Sequence, residues 1–247
     1  ISLYCFKEFF SELNLSFFFF FCLTGFLAIF IPVWSFIYAL KNISSGLQSI
    51  FISTIPLFTV FWVLLFFKEE KITRIKLISV LIGLIGLVIL FFSGETGLSK
   101  EGDLITGGLL ALVGVQGLAL SNITNKKHLK YIPGKTYLLT QWLFGAGLSI
   151  ILFFTLGGEI EILSLSESLK LTGLAFIDIF NYSLFLYTIK RFSATFTTLV
   201  DYIVPIVGIL MGYIFLNEVI SNVFFVTLLL IFISLYLAVK DESNSLS

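Results

Sequence analysis

Charged residues are scarce in this chain of 247 residues, at 12% of the total, whereas soluble domains carry about 25%. The mean hydropathy is correspondingly high, at +1.06. The formal net charge is zero, so the chain shows no electrostatic footprint for nucleic acid. Water is therefore not the main solvent of this protein's surface, and we predict an integral membrane protein in contact with the lipid bilayer.

Residues that build common catalytic and metal centres are also rare. The two cysteines, Cys5 and Cys22, make no disulfide framework, and a single histidine, His128, makes no metal cluster. The sequence contains no Walker A lysine motif, which argues against ATP as the driving force. We therefore expect no cofactor and no metal, and we do not expect an enzyme.

Long apolar runs dominate what is present. A helix that spans a bilayer needs about 20 mostly apolar residues. Eight stretches meet this requirement: 15–40, 47–67, 75–93, 104–121, 136–156, 169–189, 195–217 and 222–239. The predicted fold class is all-α, a polytopic membrane protein with about eight transmembrane helices. Pro32 lies inside the first stretch and favours a kink there.

Residues 187–218 repeat residues 38–69 without a gap, at a constant offset of 149 positions. The repeat superposes polar and helix-breaking positions as well as apolar ones, including Pro56 on Pro205 and Glu69 on Glu218. Internal symmetry in a strongly apolar chain is typical of transporters built from two halves. We place the halves at 1–96, with three helices, and at 97–247, with five.

The distribution of basic residues predicts the orientation of the helices. If the N-terminal segment is cytoplasmic, most of the 15 Lys and Arg lie on the cytoplasmic side, as the positive-inside rule requires. The connection after Glu69 is then cytoplasmic, whereas the matching connection after Glu218 is external. The two copies are therefore predicted to be inverted repeats in the inner or plasma membrane, with a cytoplasmic C-terminus.

The number of helices differs between the two predicted halves, and the chain begins with Ile rather than Met. We interpret this as an N-terminally incomplete chain, or a misplaced gene start, that lacks two front helices. A genuine eight-helix protein is the alternative.

At the repeat, the sequence resembles the EamA-type transporters of the drug/metabolite transporter superfamily. The resemblance rests on a short polar link, a mid-helix proline, a glutamate and a glycine-bearing helix, seen here as Ser44–Ser45, Pro56, Glu69, and Gly83 with Gly86. The second half has Ser193–Ala194, Pro205 and Glu218, but its last helix departs from the pattern because it has no glycine. The resemblance implies ten helices in two halves and transport of small metabolites, amino acids or drugs.

Asp178 is the strongest candidate for a functional residue. It lies in the middle of the stretch 169–189, and Asn181 and Tyr182 follow three and four residues later, on the same helix face. A charged group at mid-bilayer costs about 2.5–3.5 kcal/mol on insertion scales, so it is seldom retained without a role. The structural alternative is a neutral aspartate that hydrogen-bonds between helices.

Asp201 is the second candidate, because it precedes Pro205 by four residues. The proline leaves the backbone carbonyl of Asp201 without its helical donor. A carboxylate beside that carbonyl could hold a proton or a substrate amine. Glu69 and Glu218 occur in both halves near a membrane face, so we assign them a fold role, such as support for the N-terminus of the next helix.

Gln116, Gln141 and Trp142 could line a polar cavity. The internal repeat and these polar residues together predict a secondary transporter that moves a small molecule by alternating access from a site near mid-membrane. Asp201 is the candidate for proton coupling. The alternatives are a non-transporting accessory subunit and a membrane-embedded, lipid-modifying enzyme. The sequence leaves the substrate, the direction of transport and a homodimer open.

Overall fold

The structure is a computed structural model that describes residues 15–66, 73–98, 102–128, 134–159, 164–191 and 203–246. Within these residues the secondary structure is helical. The helices are α1 (Leu15–Gly25), a π-helical turn (Phe26–Phe30), α2 (Ile31–Ala39), α3 (Ser45–Ile52), α4 (Ile55–Phe66), α5 (Arg74–Ser93), α6 (Leu104–His128), α7 (Gly134–Thr155), α8 (Leu165–Arg191), α9 (Ile203–Leu216) and α10 (Asn222–Leu246).

The predicted fold class is confirmed, since the described helices coincide with the eight apolar stretches of the sequence. In the part of the chain that the structure describes, five segments are long and apolar enough to cross a membrane: Phe19–Ala39, Ser45–Val63, Leu104–Asn125, Thr136–Thr155 and Leu165–Thr188. Three shorter apolar helices are Leu77–Ser93, Val204–Leu216 and Asn222–Leu237. The protein is therefore a multi-pass membrane protein.

Two of the predicted spans are interrupted next to a proline. The π-helical turn Phe26–Phe30 ends just before Pro32, which offers no N–H to the carbonyl four residues earlier. The second span breaks at Ser53 and Thr54, just before Pro56 in the first turn of α4. The side chains of Ser53 and Thr54 donate to the carbonyls of residues 50 and 51, at 2.7 and 2.6 Å. At the second break, hydroxyl groups of the chain therefore supply hydrogen bonds to carbonyls where the regular helix is interrupted.

Two compact units make up the described chain, and each combines helices from both predicted halves. Unit 1 comprises residues 15–30, 124–128, 134–159 and 164–191, and unit 2 comprises 31–66, 73–98, 102–123 and 203–246. Compactness and sequence repetition are different properties of a chain. The division into halves at residue 96 therefore stays a prediction.

Unit 2 is built around the packing of α5 against α10. A Cβ at Gly83 would lie 3.0 Å from the side-chain oxygen of Ser234, and one at Gly86 would lie 3.3 Å from Cβ of Leu230. The close approach lets the Ser234 hydroxyl donate to the carbonyl of Ser79 at 2.6 Å. The glycines of α5 thus supply the smooth surface that α10, which has no glycine, packs against.

Unit 1 contains an equally close approach between α1 and α7. A Cβ at Gly25 would lie 2.9 Å from the carbonyl oxygen of Gln141 and from the amide nitrogen of Gly145. In the opposite direction, a Cβ at Gly145 would meet the β-branched carbon of Ile29 and lie 3.0 Å from the carbonyl of Gly25. The two glycines therefore face each other where the backbones approach, and this contact sets the position of α7.

Candidate functional site

Three polar side chains in unit 1 form a closed ring of hydrogen bonds. The Tyr182 hydroxyl of α8 donates to Oε1 of Gln141 on α7, at 2.9 Å. Nε2 of Gln141 donates to Oδ1 of Asn125 at the end of α6, at 3.0 Å. Nδ2 of Asn125 donates back to the Tyr182 hydroxyl at 3.4 Å. Each of the three residues is donor and acceptor at once, and we call this set the polar ring.

The polar ring is largely buried. Gln141 and Asn125 are fully buried, and Tyr182 is partly buried. Burial of polar groups is tolerated here because each one is hydrogen-bonded. Inside a protein such bonds are electrostatically stronger than in water, so the ring holds the facing parts of α6, α7 and α8 together.

Trp142 extends the polar ring on one side with an aromatic surface. Its ring centroid lies 6.5 Å from that of Tyr182, with the two planes at 80°, which is an edge-to-face arrangement. The indole N–H of Trp142 is buried and, among the residues that the structure describes, has no hydrogen-bond acceptor. An unused donor beside a polar ring is a group that a bound solute can satisfy.

The polar ring lies towards one end of the three helices. Gln141 is seven residues into α7, which corresponds to about 10 Å along the helix. Asn125 precedes the end of α6 by three residues, and Tyr182 precedes the end of α8 by nine. These helix ends lie on the side that the positive-inside rule predicts to be cytoplasmic.

The structure places Asp178 and Asn181 differently from Tyr182. Both are exposed side chains on α8, and Asp178 lies one turn, about 6 Å, from Tyr182 along the helix. Their position on the same helix as Tyr182 is as predicted, but neither belongs to the polar ring. Asp201, the second predicted candidate, lies outside the described residues.

Gln116 is found in unit 2, in a separate polar contact. Nε1 of Trp62 on α4 donates to Oε1 of Gln116 on α6, at 2.5 Å. Both side chains are partly buried. The predicted set therefore divides: Gln141, Trp142 and Tyr182 come together in unit 1, whereas Gln116 ties α4 to α6 in unit 2.

Glu218 supports a helix N-terminus, but not the one that we predicted. Its two carboxylate oxygens accept the backbone N–H groups of Ser45 and Gly46, at 2.7 and 3.0 Å. These residues open α3, in the first predicted half, whereas the expectation was the next helix, α10. The reason is that the chain turns back after α9, at Asn217, and this directs Glu218 towards α3. Glu69 lies outside the described residues.

Asn125 is the member of the polar ring that sequence analysis missed. The predicted span ended at residue 121, because the apolar run stops there, but α6 continues to His128. Asn125 was therefore assigned to a connection. The available signal was the segment 122–128, which is mostly polar but contains no glycine or proline to end the helix.

Comparisons with known proteins agree with this architecture. The sequence profile described as "EamA-like transporter family" matches residues 1–92 and 105–240. A protein of Clostridium kluyveri described as an uncharacterized transporter is 28% identical over 200 residues, which are 79% of this chain. The matched part spans 64% of that relative's length. A solved structure titled only as the crystal structure of a protein superposes with a TM-score of 0.59 at 18% identity, over 88% of this chain and 74% of the other. This last likeness shows the fold alone.

Proposed function

The chain belongs to the EamA-like transporter family, and from that premise we propose that it is a secondary transporter that works by alternating access. The proposed substrate is a small polar solute, and the proposed binding surface consists of Gln141, Trp142 and Tyr182 with Asn125. The supporting observation is the meeting of three predicted residues in one cluster, next to an unused indole donor.

The chemistry of this surface fits a solute with hydrogen-bonding groups and a flat or apolar part. Amide and phenol groups can exchange their mutual hydrogen bonds for bonds to a solute, because each is both donor and acceptor. Gln141 and Asn125 are fully buried here, so this exchange requires movement of the helices that the polar ring joins. The Trp142 and Tyr182 rings offer faces and edges for apolar or cationic groups. Small-molecule sites in proteins commonly combine a few placed polar groups with aromatic walls.

Asp178 is the proposed site of a coupling proton or of a substrate cation. The carboxylate is exposed on a helix that is otherwise long and apolar enough to span the membrane. Contact with lipid would be costly for a charged group, which favours contact with water or with a solute. The distance of one helical turn to Tyr182 allows one small solute to touch both side chains.

The test is transport by the purified chain in liposomes, with a solute first selected by its stabilising effect in a thermal-shift screen of amino acids, amines and nucleosides. We expect Asp178→Asn to lose uptake while its unfolding temperature stays unchanged, because Asn keeps the shape of the side chain. Asp178→Ile should also fold, since Asp178 is exposed and Ile29 lies 149 positions earlier, at the offset that relates the two copies.

The matched control is Ser183→Ala on the same helix. Its hydroxyl donates to the carbonyl of Ile179 at 2.6 Å, so the change removes a polar group without touching the polar ring. This variant should transport normally, whereas Tyr182→Phe, which deletes only the ring hydroxyl, should reduce uptake. Full uptake by Asp178→Asn would show that Asp178 has no part in transport. Full uptake by Tyr182→Phe would show that the polar ring has no part in solute binding.

A further inference from the structure

The N-terminus of α3 in unit 2 is hydrogen-bonded by the carboxylate of Glu218, a residue that is distant in the sequence. Ser45 and Gly46, the first two residues of α3, donate their N–H groups to the Glu218 carboxylate across 173 and 172 positions of sequence. The third N–H, of Leu47, is accepted locally by the Ser44 hydroxyl at 3.0 Å. The carboxylate thus satisfies donors that a helix N-terminus leaves free, and its charge complements the helix dipole.

The connection between the two predicted halves takes part in the same contact. The N–H of Ser44 donates to the carbonyl of Thr96, and the N–H of Val219 donates to the carbonyl of Gly97, both at 2.9 Å. Adjacent residues of the connection therefore bind the start of α3 on one side and the segment of Glu218 on the other. We call this set of hydrogen bonds, together with the two bonds of Glu218, the clasp.

Glycines make room for the clasp along α9. A Cβ at Gly212 would collide with the carboxylate of Glu218, and a Cβ at Gly208 would collide with the side chain of Ser49 on α3. The N–H of Glu218 also donates to the carbonyl of Gly212 at 3.2 Å. Gly208 therefore lets α3 approach α9 closely, and Gly212 leaves room for the carboxylate of Glu218.

The clasp lies where movement is required if the two halves alternate. Its α3 side belongs to the first copy of the repeat and its Glu218 side to the second. In transporters with inverted repeats, access changes as one repeat moves against the other around the site. A contact between the copies at the start of α3 and the end of α9 can then form in one state and break in the other.

We propose that Glu218 is a conformational latch that holds α3 and α9 together at this face and is released when the protein opens there. This inference rests on the proposed alternating access. A latch differs from a fixed helix cap in one respect. Loss of the Glu218 carboxylate should change how often α3 and α9 separate, whereas loss of another cap on α3 should not.

The test uses the full chain, without Cys5 and Cys22, in lipid nanodiscs, which expose both faces. Ser49→Cys is the reporter, because Ser49 lies on α3 and its side chain is buried against Gly208 of α9. The measurement is its rate of reaction with a membrane-impermeant maleimide. We expect Glu218→Gln to raise this rate by at least about tenfold, the effect of losing one charge-assisted hydrogen bond.

The matched control is Ser44→Ala, which removes a cap from the same helix but leaves both bonds of Glu218 in place. This variant should leave the maleimide rate near that of the parent. Gly212→Ala keeps the carboxylate but displaces it, so it should reproduce the effect of Glu218→Gln and decide the matter if Glu218→Gln does not fold.

Equal acceleration by Ser44→Ala and Glu218→Gln would show that Glu218 is only a helix cap, and no acceleration by Glu218→Gln and Gly212→Ala would show that the clasp does not hold α3 and α9 together. Either result overturns the latch. The assay needs no solute, so its outcome is independent of the uptake measurements that test the proposed function.

Discussion

The close approach of α1 and α7 in unit 1 leads to a sharp prediction about Gly145→Ala. The added methyl group would meet the β-branched carbon of Ile29 and would lie 3.0 Å from the carbonyl oxygen of Gly25. Neither neighbour is the flexible end of a side chain, so the two backbones must move apart. Overpacking of this kind costs about 1–3 kcal/mol, and the rigid neighbours favour the upper part of that range.

Gly147→Ala is the matched control on the same helix. A Cβ at Gly147 would meet nothing within 4 Å. Replacing a helical glycine by alanine in open space gains up to about 1 kcal/mol from helix propensity. The two variants make the same chemical change two residues apart, so the difference between them isolates the helix contact. We expect this difference to be about 2–3 kcal/mol, the upper part of the overpacking cost, because the gain in helix propensity is common to both variants and cancels.

The assay is unfolding of the purified chain in mixed micelles, followed by tryptophan fluorescence as denaturing detergent is added. Gly145→Ala should lower the midpoint and Gly147→Ala should leave it unchanged or raise it. Because Gln141 lies one turn before Gly145, Gly145→Ala should also lower uptake. Equal midpoints for the two variants would refute the close approach of α1 and α7 at Gly145.

Three further predictions concern other parts of the chain. In a variant without the native cysteines, a membrane-impermeant thiol reagent should label a cysteine at Ser164 but not at Lys130 in intact cells; the reverse would overturn the orientation. Gln116→Leu should cost about 1 kcal/mol in an unfolding assay, because Trp62 loses this acceptor, and an unchanged midpoint would contradict the contact. Hydrogen bonds from the Thr106 side chain and backbone, and from the backbone of residue 105, lower the pKa of Asp103. The stability that Asp103 contributes is therefore present above its unfolded pKa of about 3.9 and is lost as the pH falls through the lowered value. The unfolding temperature of Asp103→Asn should therefore change less with pH in that window than the unfolding temperature of the parent. Identical pH profiles for the two proteins would contradict a stabilising role of the hydrogen bonds to Asp103.

The sequence predicted the class of the protein and the position of its helices, because both follow from local properties. Insertion into a bilayer depends on the apolar content of about 20 consecutive residues, which is visible without any tertiary contact. The kink predicted at Pro32 was equally local, and the break next to Pro56 has the same cause, since a proline removes a donor wherever it stands. The predicted ends were least accurate where a helix continues past its apolar run, as α6 does, and this hid Asn125.

The candidate site could be predicted only in part. Gln141, Trp142 and Tyr182 stood out because side chains that carry hydrogen-bonding groups are uncommon inside apolar spans. That Gln141 faces Tyr182, while Gln116 faces Trp62, depends on which helices are neighbours. Asp178 and Tyr182 share a helix face by spacing, yet only Tyr182 enters the polar ring.

The tertiary structure decided the contacts between distant residues, and the glycines show why. The sequence contains 19 glycines, and nothing in their local context separates Gly145, at a close approach of two helices, from Gly147, in open space. Likewise, Glu218 follows an apolar run as an ordinary end-of-helix glutamate, and its partner lies more than 170 residues earlier. Hydropathy acts within one segment of chain, whereas a hydrogen bond or a steric contact requires two segments to be brought together. The membrane-spanning segments could therefore be predicted from the sequence, whereas the tertiary structure determined which of those segments pack against each other.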